Sequence, residues 1–143
     1  MAACGSGRVI AMDVGDVRIG VAVSDPLGLI AQPLEVYRRV GYAPDVKYAL
    51  ALCERFETSR VVLGLPLNMD GTMGGQAEKV KALGERMAQA GMQVEYQDER
   101  MTTVTAERAL IDGHMRRENR RETVDKVAAA VILEQWLAAE KQK

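Results

Sequence analysis

Cysteine, histidine and the large aromatic residues are scarce in this sequence of 143 residues. The two cysteines, Cys4 and Cys53, stand far apart and outside any CxxC or Cys/His spacing, which argues against a disulfide scaffold and a structural zinc site. The single histidine, His114, counts against a histidine-based nuclease or a zinc hydrolase. With one Trp and one Phe, the core must be built from aliphatic residues, alanine and methionine.

Long apolar runs and an excess of either charge are missing as well. No window approaches the ~20 apolar residues of a membrane-spanning helix, and residues 1–15 lack the apolar region of a signal peptide. The formal net charge is -1, so any binding of nucleic acid must come from a local basic patch. The length fits one domain over residues 1–143. We therefore expect a cytoplasmic, single-domain protein that does not bind a membrane.

The spacing of apolar residues predicts three strands followed by alternating helices and strands. The predicted strands are residues 9–14, 17–24, 34–38, 60–65 and 92–97, and the predicted helices are residues 45–57, 77–90, 103–111 and 123–141. A doubly wound domain would alternate strand and helix from its start. The opening run of strands predicts instead an α/β, RNase-H-like fold, in which a mixed five-stranded sheet has its first three strands antiparallel and carries helices on both faces.

Asp13 interrupts the apolar run of the first predicted strand. A buried carboxylate is costly unless it is paired, hydrogen-bonded or bound to a metal. Alternatively, Asp13 ends the strand and opens the turn at Gly15, where aspartate is favoured. Taken alone, Asp13 favours this second interpretation.

Two more acids, Asp98 and Glu99, follow the predicted strand 92–97. Ligands of open α/β sheets bind at the carboxyl ends of the strands, although two adjacent acids also suit a solvated loop. Alternation along a strand places Asp98 and Glu99 on opposite faces, and the sequence leaves open which of them turns inward.

Asp125 stands in the predicted first turn of the last helix, with Thr123 as its predicted N-cap. An acid at this position also simply complements the helix dipole. Asp125 lies at the edge of a predicted apolar stripe formed by Val124, Val127, Ala128, Val131 and Ile132.

Asp13, Glu99 and Asp125 together suggest a metal site. Clustered carboxylates are the ligands of Mg²⁺ and Mn²⁺, and two-metal hydrolysis of a phosphodiester needs such a cluster. A basic segment, HMRRENRR at residues 114–121, precedes Asp125 between two predicted helices. Its arginines are suited to bind phosphate, although a solvated loop is an equal alternative; they are Arg116, Arg117, Arg120 and Arg121.

Five motifs in order, MDVGDVRIGVAVSDPLG, VVLGLPLNMDG, QAEKV, DERMTT and VDKVAAAVIL, resemble those of the YqgF-type family of pre-16S rRNA nucleases, compact relatives of the RuvC-like Holliday-junction resolvases. The resemblance spreads over most of the chain and implies an RNase-H-like fold, a cytoplasmic protein and processing of the 5′ end of pre-16S rRNA. It assigns the family's acidic centre to Asp13, Glu99 and Asp125, as metal ligands and catalytic residues. The resolvases act as dimers, so the resemblance leaves a homodimer open.

Beside a metal-dependent pre-rRNA nuclease, three alternatives stay open. The first is a nuclease that cuts branched DNA, as a Holliday-junction resolvase does. The second is a non-catalytic RNA-binding factor of ribosome assembly, and the third is a relative of the actin-like kinases and ATPases. The actin-like kinases and ATPases share the RNase-H-like core, and DVGDVRIG loosely fits their first phosphate loop. They bind nucleotide between two domains, however, and this chain has room for one.

Overall fold

The computed structural model describes residues 7–68, 70–98 and 117–141. Five strands and three helices lie in these ranges. In chain order they are β1 (Ile10–Val14), β2 (Arg18–Ser24), β3 (Ala31–Arg38), α1 (Tyr42–Arg55), β4 (Arg60–Leu65), α2 (Gly75–Gln89), β5 (Gln93–Asp98) and α3 (Arg117–Lys141). None of these three helices is long and apolar enough to cross a membrane. The predicted helix 103–111 lies outside the described residues.

The five strands form one mixed sheet in the order β3-β2-β1-β4-β5. β1 pairs with β2, and β2 with β3, in antiparallel register, whereas β4 runs parallel to β1 and β5 parallel to β4. The predicted antiparallel opening and mixed sheet are therefore confirmed. The parallel arrangement brings the carboxyl ends of β1, β4 and β5 to one edge of the sheet, where a site is expected in folds of this kind.

Both faces of the sheet are covered by helices, as predicted. Alternate residues of a strand point to opposite faces, and in β1 this separates Ile10 and Met12 from Ala11. Ile10 and Met12 join the core cluster that contains the buried residues of α1 and α2, whereas Ala11 joins the cluster formed with α3. Helix α3 contacts all five strands, and the small side chains of Ala11 and Ala22 beneath it allow a close approach.

β3 is longer than predicted, because it begins at Ala31 and not at residue 34. The proline and glycine within residues 25–32 predict a loop there, whereas the strand includes residues 31–32 and also Pro33, which cannot donate a hydrogen bond to a ladder. β3 is an edge strand of the sheet, where proline is tolerated. The register shifts between Val21 and Ala22 of β2, so β3 also carries an irregularity at this point.

α3 begins at Arg117, six residues before the predicted start at Thr123. The segment RENRRE contains no proline or glycine and is made mostly of good helix formers, so nothing in it stops the helix. Thr123 is therefore inside the helix and is not its N-cap. Arg117, Arg120 and Arg121 lie in the first turns of α3, and the prediction of an inter-helix loop at these three positions is wrong.

The buried side of α3 is also turned relative to the predicted stripe. Among the side chains described for α3, those of residues 127–140, the buried ones are Ala128, Ala129, Ala130, Ile132, Leu133, Trp136 and Leu137. Val131, which the prediction placed on the buried stripe, is only partly buried against this cluster. The predicted stripe followed the valines, but the buried side of α3 includes three alanines. The apolar pattern of the sequence does not distinguish a buried alanine from an exposed one.

Candidate functional site

Asp13 lies inside β1, one residue before the strand ends, and not in the following turn. Its position in the alternation puts it on the α3 face with Ala11, and it is half-buried there. Directly opposite on β2 is Gly20, and on the other side Gly64 follows Leu63, the partner of Met12 in β4. Neither neighbouring position carries a side chain.

The turn that follows Asp13 is held by Arg39. The backbone N–H of Gly15 donates to the carbonyl of Arg18 at 2.9 Å, which closes the β1–β2 hairpin. The guanidinium of Arg39 donates through Nη1 to the carbonyl of Gly15 at 2.9 Å and through Nε to the carboxylate of Asp45 at 2.8 Å. The Asp45 side chain is fully buried. A charged pair thus fixes the turn against the start of α1.

Helix α2 holds the same end of β1 through a second contact. Gln76, in the first turn of α2, donates through Nε2 to the carbonyl of Val14 at 3.1 Å. Lys79 lies 3.3 Å from Asp16 of the hairpin turn, but both side chains are more than half exposed. An exposed ion pair contributes little, so the Gln76 bond is the more important tether.

These supporting residues were not among the predicted site residues. The hairpin backbone accepts hydrogen bonds from Arg39 and Gln76, and Asp45 pairs with Arg39. Neither the residue types nor their spacing in the sequence predicts these contacts. The one available signal was Asp45 itself, an acid at the start of a predicted amphipathic helix and close in sequence to two arginines.

Asp98 is the last residue of β5 and lies on the other face of the sheet from Asp13. It pairs in register with Leu65, whose side chain belongs to the core cluster of α1 and α2. The sequence left open whether Asp98 or Glu99 turns towards Asp13. The register shows that Asp98 does not share the face of Asp13. Glu99 lies outside the described residues.

Asp125 lies in the third turn of α3 and not in its first turn, because the helix begins at Arg117. Its position in the helix precedes those of the buried Ala128 and Ala129 by three and four residues. The side chains of residues 117–126 lie outside the described residues, as does the whole of Arg116.

Within the described part of the chain, no group of three His, Cys, Asp or Glu residues is arranged to hold a metal ion. Of the three predicted ligands, only Asp13 has its side chain in that part. The predicted site of Asp13, Glu99 and Asp125 therefore stays a prediction.

The sheet order, the antiparallel opening and the helices on both faces define an RNase-H-like fold of the RuvC type. The structure of RuvC from Thermus thermophilus in complex with a Holliday junction substrate superposes with a TM-score of 0.58, over 94% of this chain and 95% of that one. A second structure of Thermus thermophilus RuvC gives 0.58, with 94% and 96% covered. The identities are 15% and 18%, so this likeness establishes the fold alone.

The sequence profile of the family described as "RuvX: Holliday junction resolvase" matches residues 7–139. A Clostridioides difficile protein named "Putative pre-16S rRNA nuclease" is 43% identical over 132 residues, covering 92% of this chain and 94% of that protein. A Clostridium acetobutylicum protein of the same name is 45% identical over 131 residues, covering 91% and 97%. The chain belongs to the RuvX Holliday junction resolvase family, and the resemblance drawn from its motifs is confirmed.

Proposed function

We propose that this protein is a metal-dependent nuclease that hydrolyses phosphodiester bonds while the 5′ end of pre-16S rRNA is processed. The observation that carries the proposal is Asp13, a half-buried carboxylate between two glycines, on the face of the sheet that α3 covers. The name shared by its relatives in two clostridial species supports the substrate class. A cytoplasmic location, and one RNase-H-like domain over the whole chain, belong to the same proposal.

Asp13, Glu99 and Asp125 are the proposed metal ligands and catalytic residues. The lengths of the elements support Asp125. The Arg60 guanidinium, at the start of β4, lies 4.9 Å from the ring centroid of Trp136 in α3. From Trp136 back to Asp125 is about 16 Å of helix, and from Arg60 to Gly64, beside Asp13, is about 13 Å of strand. A helix running back along β4 would carry Asp125 to the level of Asp13.

The residues present fit a hard divalent cation. Carboxylate oxygens are the ligands that Mg²⁺ and Mn²⁺ prefer, and neither strand position beside Asp13 carries a side chain. When bound, the ion polarises the phosphate and stabilises charge on the leaving oxygen. The chain's own part is to hold its carboxylates rigidly, and Arg39 and Gln76 do this for the strand end after Asp13.

The basic segment is the proposed contact to the substrate backbone. Positions 117, 120 and 121 of α3 have the i, i+3, i+4 spacing of one side of a helix, and this spacing supports a basic patch of Arg117, Arg120 and Arg121 as part of the proposal. Changing Arg116, Arg117, Arg120 and Arg121 to Ala should weaken RNA binding. It should also flatten the salt dependence, by about 0.7 in the log–log slope for each lost contact to a single strand. An unchanged slope would reduce the patch to a solvated surface.

A nuclease assay with single substitutions tests the proposed centre. Purified wild type, Asp13→Asn, Glu99→Gln and Asp125→Asn are incubated with a pre-16S rRNA fragment and Mg²⁺ or Mn²⁺, with chelator as the blank. We expect each substitution to abolish cleavage while the melting temperature in chelator stays equal or rises, because like charges are removed. Asp98→Asn is the matched control, since it removes the neighbouring charge on the other face and should leave cleavage intact.

Full cleavage by Asp13→Asn would refute the proposed mechanism. If Asp98→Asn is inactive and Glu99→Gln active, the ligand at the end of β5 is Asp98. If the wild type binds pre-16S rRNA but cuts no substrate with either metal, the chain is a non-catalytic RNA-binding factor.

Branched DNA is a second candidate substrate, because the matching family is described as Holliday junction resolvases. The same assay includes a four-way DNA junction and a single-stranded RNA of equal length. Faster cleavage of the junction than of the pre-16S rRNA fragment would favour resolvase activity. The elution volume of the wild type in gel filtration then shows whether the protein is a dimer. Symmetric cutting of a junction requires a dimer.

A further inference from the structure

A cavity lies between the ends of α1 and α2, at the edge of the sheet opposite Asp13. Its volume is about 640 Å³, which is within the range of pockets that bind small molecules. The residues that line it lie at the ends of the two helices and just before β4 and β5. Because β4 and β5 run parallel to β1, their amino ends are far from Asp13, which is near the carboxyl end of β1. The cavity is therefore separate from the proposed metal site.

The inner wall of the cavity is apolar. Cys53 and Met92 line it and belong to the buried core cluster, and Leu50 packs against the same cluster. The Thr58 hydroxyl, which also lines the cavity, is already engaged. It donates to a backbone carbonyl at 2.7 Å and accepts from a backbone N–H at 3.2 Å. This wall favours an occupant with an apolar body.

The mouth of the cavity is negative. Glu54 and Glu57 line it with exposed carboxylates, and no basic side chain is among the described residues that line it. Helices α1 and α2 both end here, and the carboxyl end of a helix carries a partial negative charge. The mouth therefore favours a cation over an anion or a neutral group.

The arginines in the last turns of the two helices are directed elsewhere. Arg55 lies 3.9 Å from the carboxylate of Glu35 in β3. Arg86 lies 4.2 Å from the ring centroid of Tyr42, at the start of α1. Glu54 takes part in no ion pair with the described residues. Its carboxylate can therefore pair with a cation that enters the cavity.

We propose that this cavity binds a small organic cation, in which an ammonium or guanidinium group is attached to an apolar body. The apolar body lies against Leu50, Cys53 and Met92, and the cationic group lies at Glu54 and the two helix ends. This inference goes beyond the proposed nuclease function and does not depend on it, because the cavity contains none of the proposed metal ligands or phosphate-binding arginines.

A titration with three probes, followed by the backbone amide shifts of the protein in NMR spectra, tests the proposal. Phenethylammonium has both the charge and the apolar body, phenethyl alcohol has the body alone, and ethylammonium has the charge alone. The titration is made at low salt, because salt screens exposed charges. We expect phenethylammonium to bind with a Kd of about 1 mM, with the largest shifts at the residues that line the cavity. The other two probes should bind several-fold more weakly.

Two variants at exposed positions of the lining separate charge from space. Glu54→Gln should weaken the binding of phenethylammonium several-fold and leave that of phenethyl alcohol unchanged. Ala90→Arg brings a cation to the mouth and should abolish the binding of phenethylammonium. Glu78→Gln is the matched control, because Glu78 is an exposed acid in the first turn of α2, at the far end of that helix. It should leave the affinity unchanged.

Labelling of Cys53 by a thiol reagent is an independent measurement. In a Cys4→Ser background Cys53 is the one remaining thiol, and saturating phenethylammonium should slow its labelling several-fold. The inference is wrong if the wild type shows no saturable binding, if phenethyl alcohol binds as tightly as phenethylammonium, or if Glu54→Gln keeps the wild-type affinity. An unchanged labelling rate at saturation would also overturn it. The proposed nuclease function stands in each of these cases, since cleavage alone tests it.

Discussion

The buried pair of Arg39 and Asp45 gives a prediction whose size follows from the structure. The Asp45 carboxylate, with 0% of its side chain exposed, accepts from Arg39 Nε at 2.8 Å. It also accepts from the backbone N–H groups of Val40 at 3.2 Å and Gly41 at 3.5 Å, ahead of α1. Two substitutions separate these roles. Asp45→Asn keeps an oxygen for the backbone donors but loses the charge, whereas Asp45→Ala removes both.

Removing one partner of a buried ion pair costs about 3–5 kcal/mol. We expect the lower end, about 3 kcal/mol, for Asp45→Asn, because the Arg39 side chain is 13% exposed and keeps its bond to Gly15. Asp45→Ala also leaves the two backbone donors unpaired at the helix start, which adds about 1–2 kcal/mol. A protein of 143 residues has roughly 7–21 kcal/mol of stability, so both variants should fold.

Urea unfolding followed by circular dichroism measures these differences. At about 2–4 °C per kcal/mol, the melting temperature of Asp45→Asn should fall by about 6–12 °C. The double variant Asp45→Asn with Arg39→Met should be destabilised by less than the sum of the single ones, since neither charge is then left alone. A loss below about 1 kcal/mol for Asp45→Asn, or additive effects in the double variant, would contradict this account of the pair.

Two further predictions concern α2 and α1, on the face of the sheet opposite Asp13. A Cβ atom at Gly84 of α2 would lie 3.0 Å from Cζ of Tyr96 and would overlap its hydroxyl. Gly84→Ala should therefore cost about 1 kcal/mol net despite the better helix propensity, whereas Gly75→Ala, with nothing within 4 Å, should cost nothing in the same urea titration. Burial raises the pKa of the Cys53 thiol from 9.0 to about 11. The neutral thiol then stabilises the fold below pH 9, and this contribution is lost as the pH rises towards 11. In a Cys4→Ser background, Cys53→Ala should lose less stability than its parent between those pH values, and equal losses would contradict the shift.

Much of this fold was predictable because it depends on residue alternation and order. The opening run of strands and the continuous apolar run of β4 are local patterns, and the structure confirms them. Asp13 was predictable as a candidate for the same reason, since a charged residue within a buried strand contradicts the pattern around it.

The missed features depend on contacts that a local pattern does not contain. The start of α3 depends on how far a polar segment stays helical. The segment RENRRE contains no proline or glycine that would stop the helix before Arg117. The buried side of α3 was misjudged because its alanines pack against the sheet, and a local pattern does not contain that contact. The partnership of Arg39 with Asp45 joins a strand end to a helix start, and nothing in the spacing of six residues requires it.

The choice between Asp98 and Glu99 illustrates what the sheet register adds. From the sequence, alternation separates the two residues but does not say which faces which way. The pairing of Asp98 with Leu65 decides this for Asp98, because Leu65 belongs to the core beneath α1 and α2. A single register partner thus removes Asp98 from the face of Asp13, although the chemistry of the two acids is nearly the same.

In the β1–β2 hairpin, the alternation of side chains places core residues on one face of the sheet and the proposed site residue Asp13 on the other. Met12, Val14 and Ile19 point into the core of α1 and α2, whereas the intervening Asp13 and Arg18 lie on the opposite face. The residues that stabilise the hairpin are therefore on the other face from Asp13, the proposed metal ligand. Because the core side fixes the register, it also fixes which face Asp13 occupies. A slip of one residue would bury Asp13 among apolar side chains, so the core packing that gives the fold its stability also specifies the geometry of the proposed site.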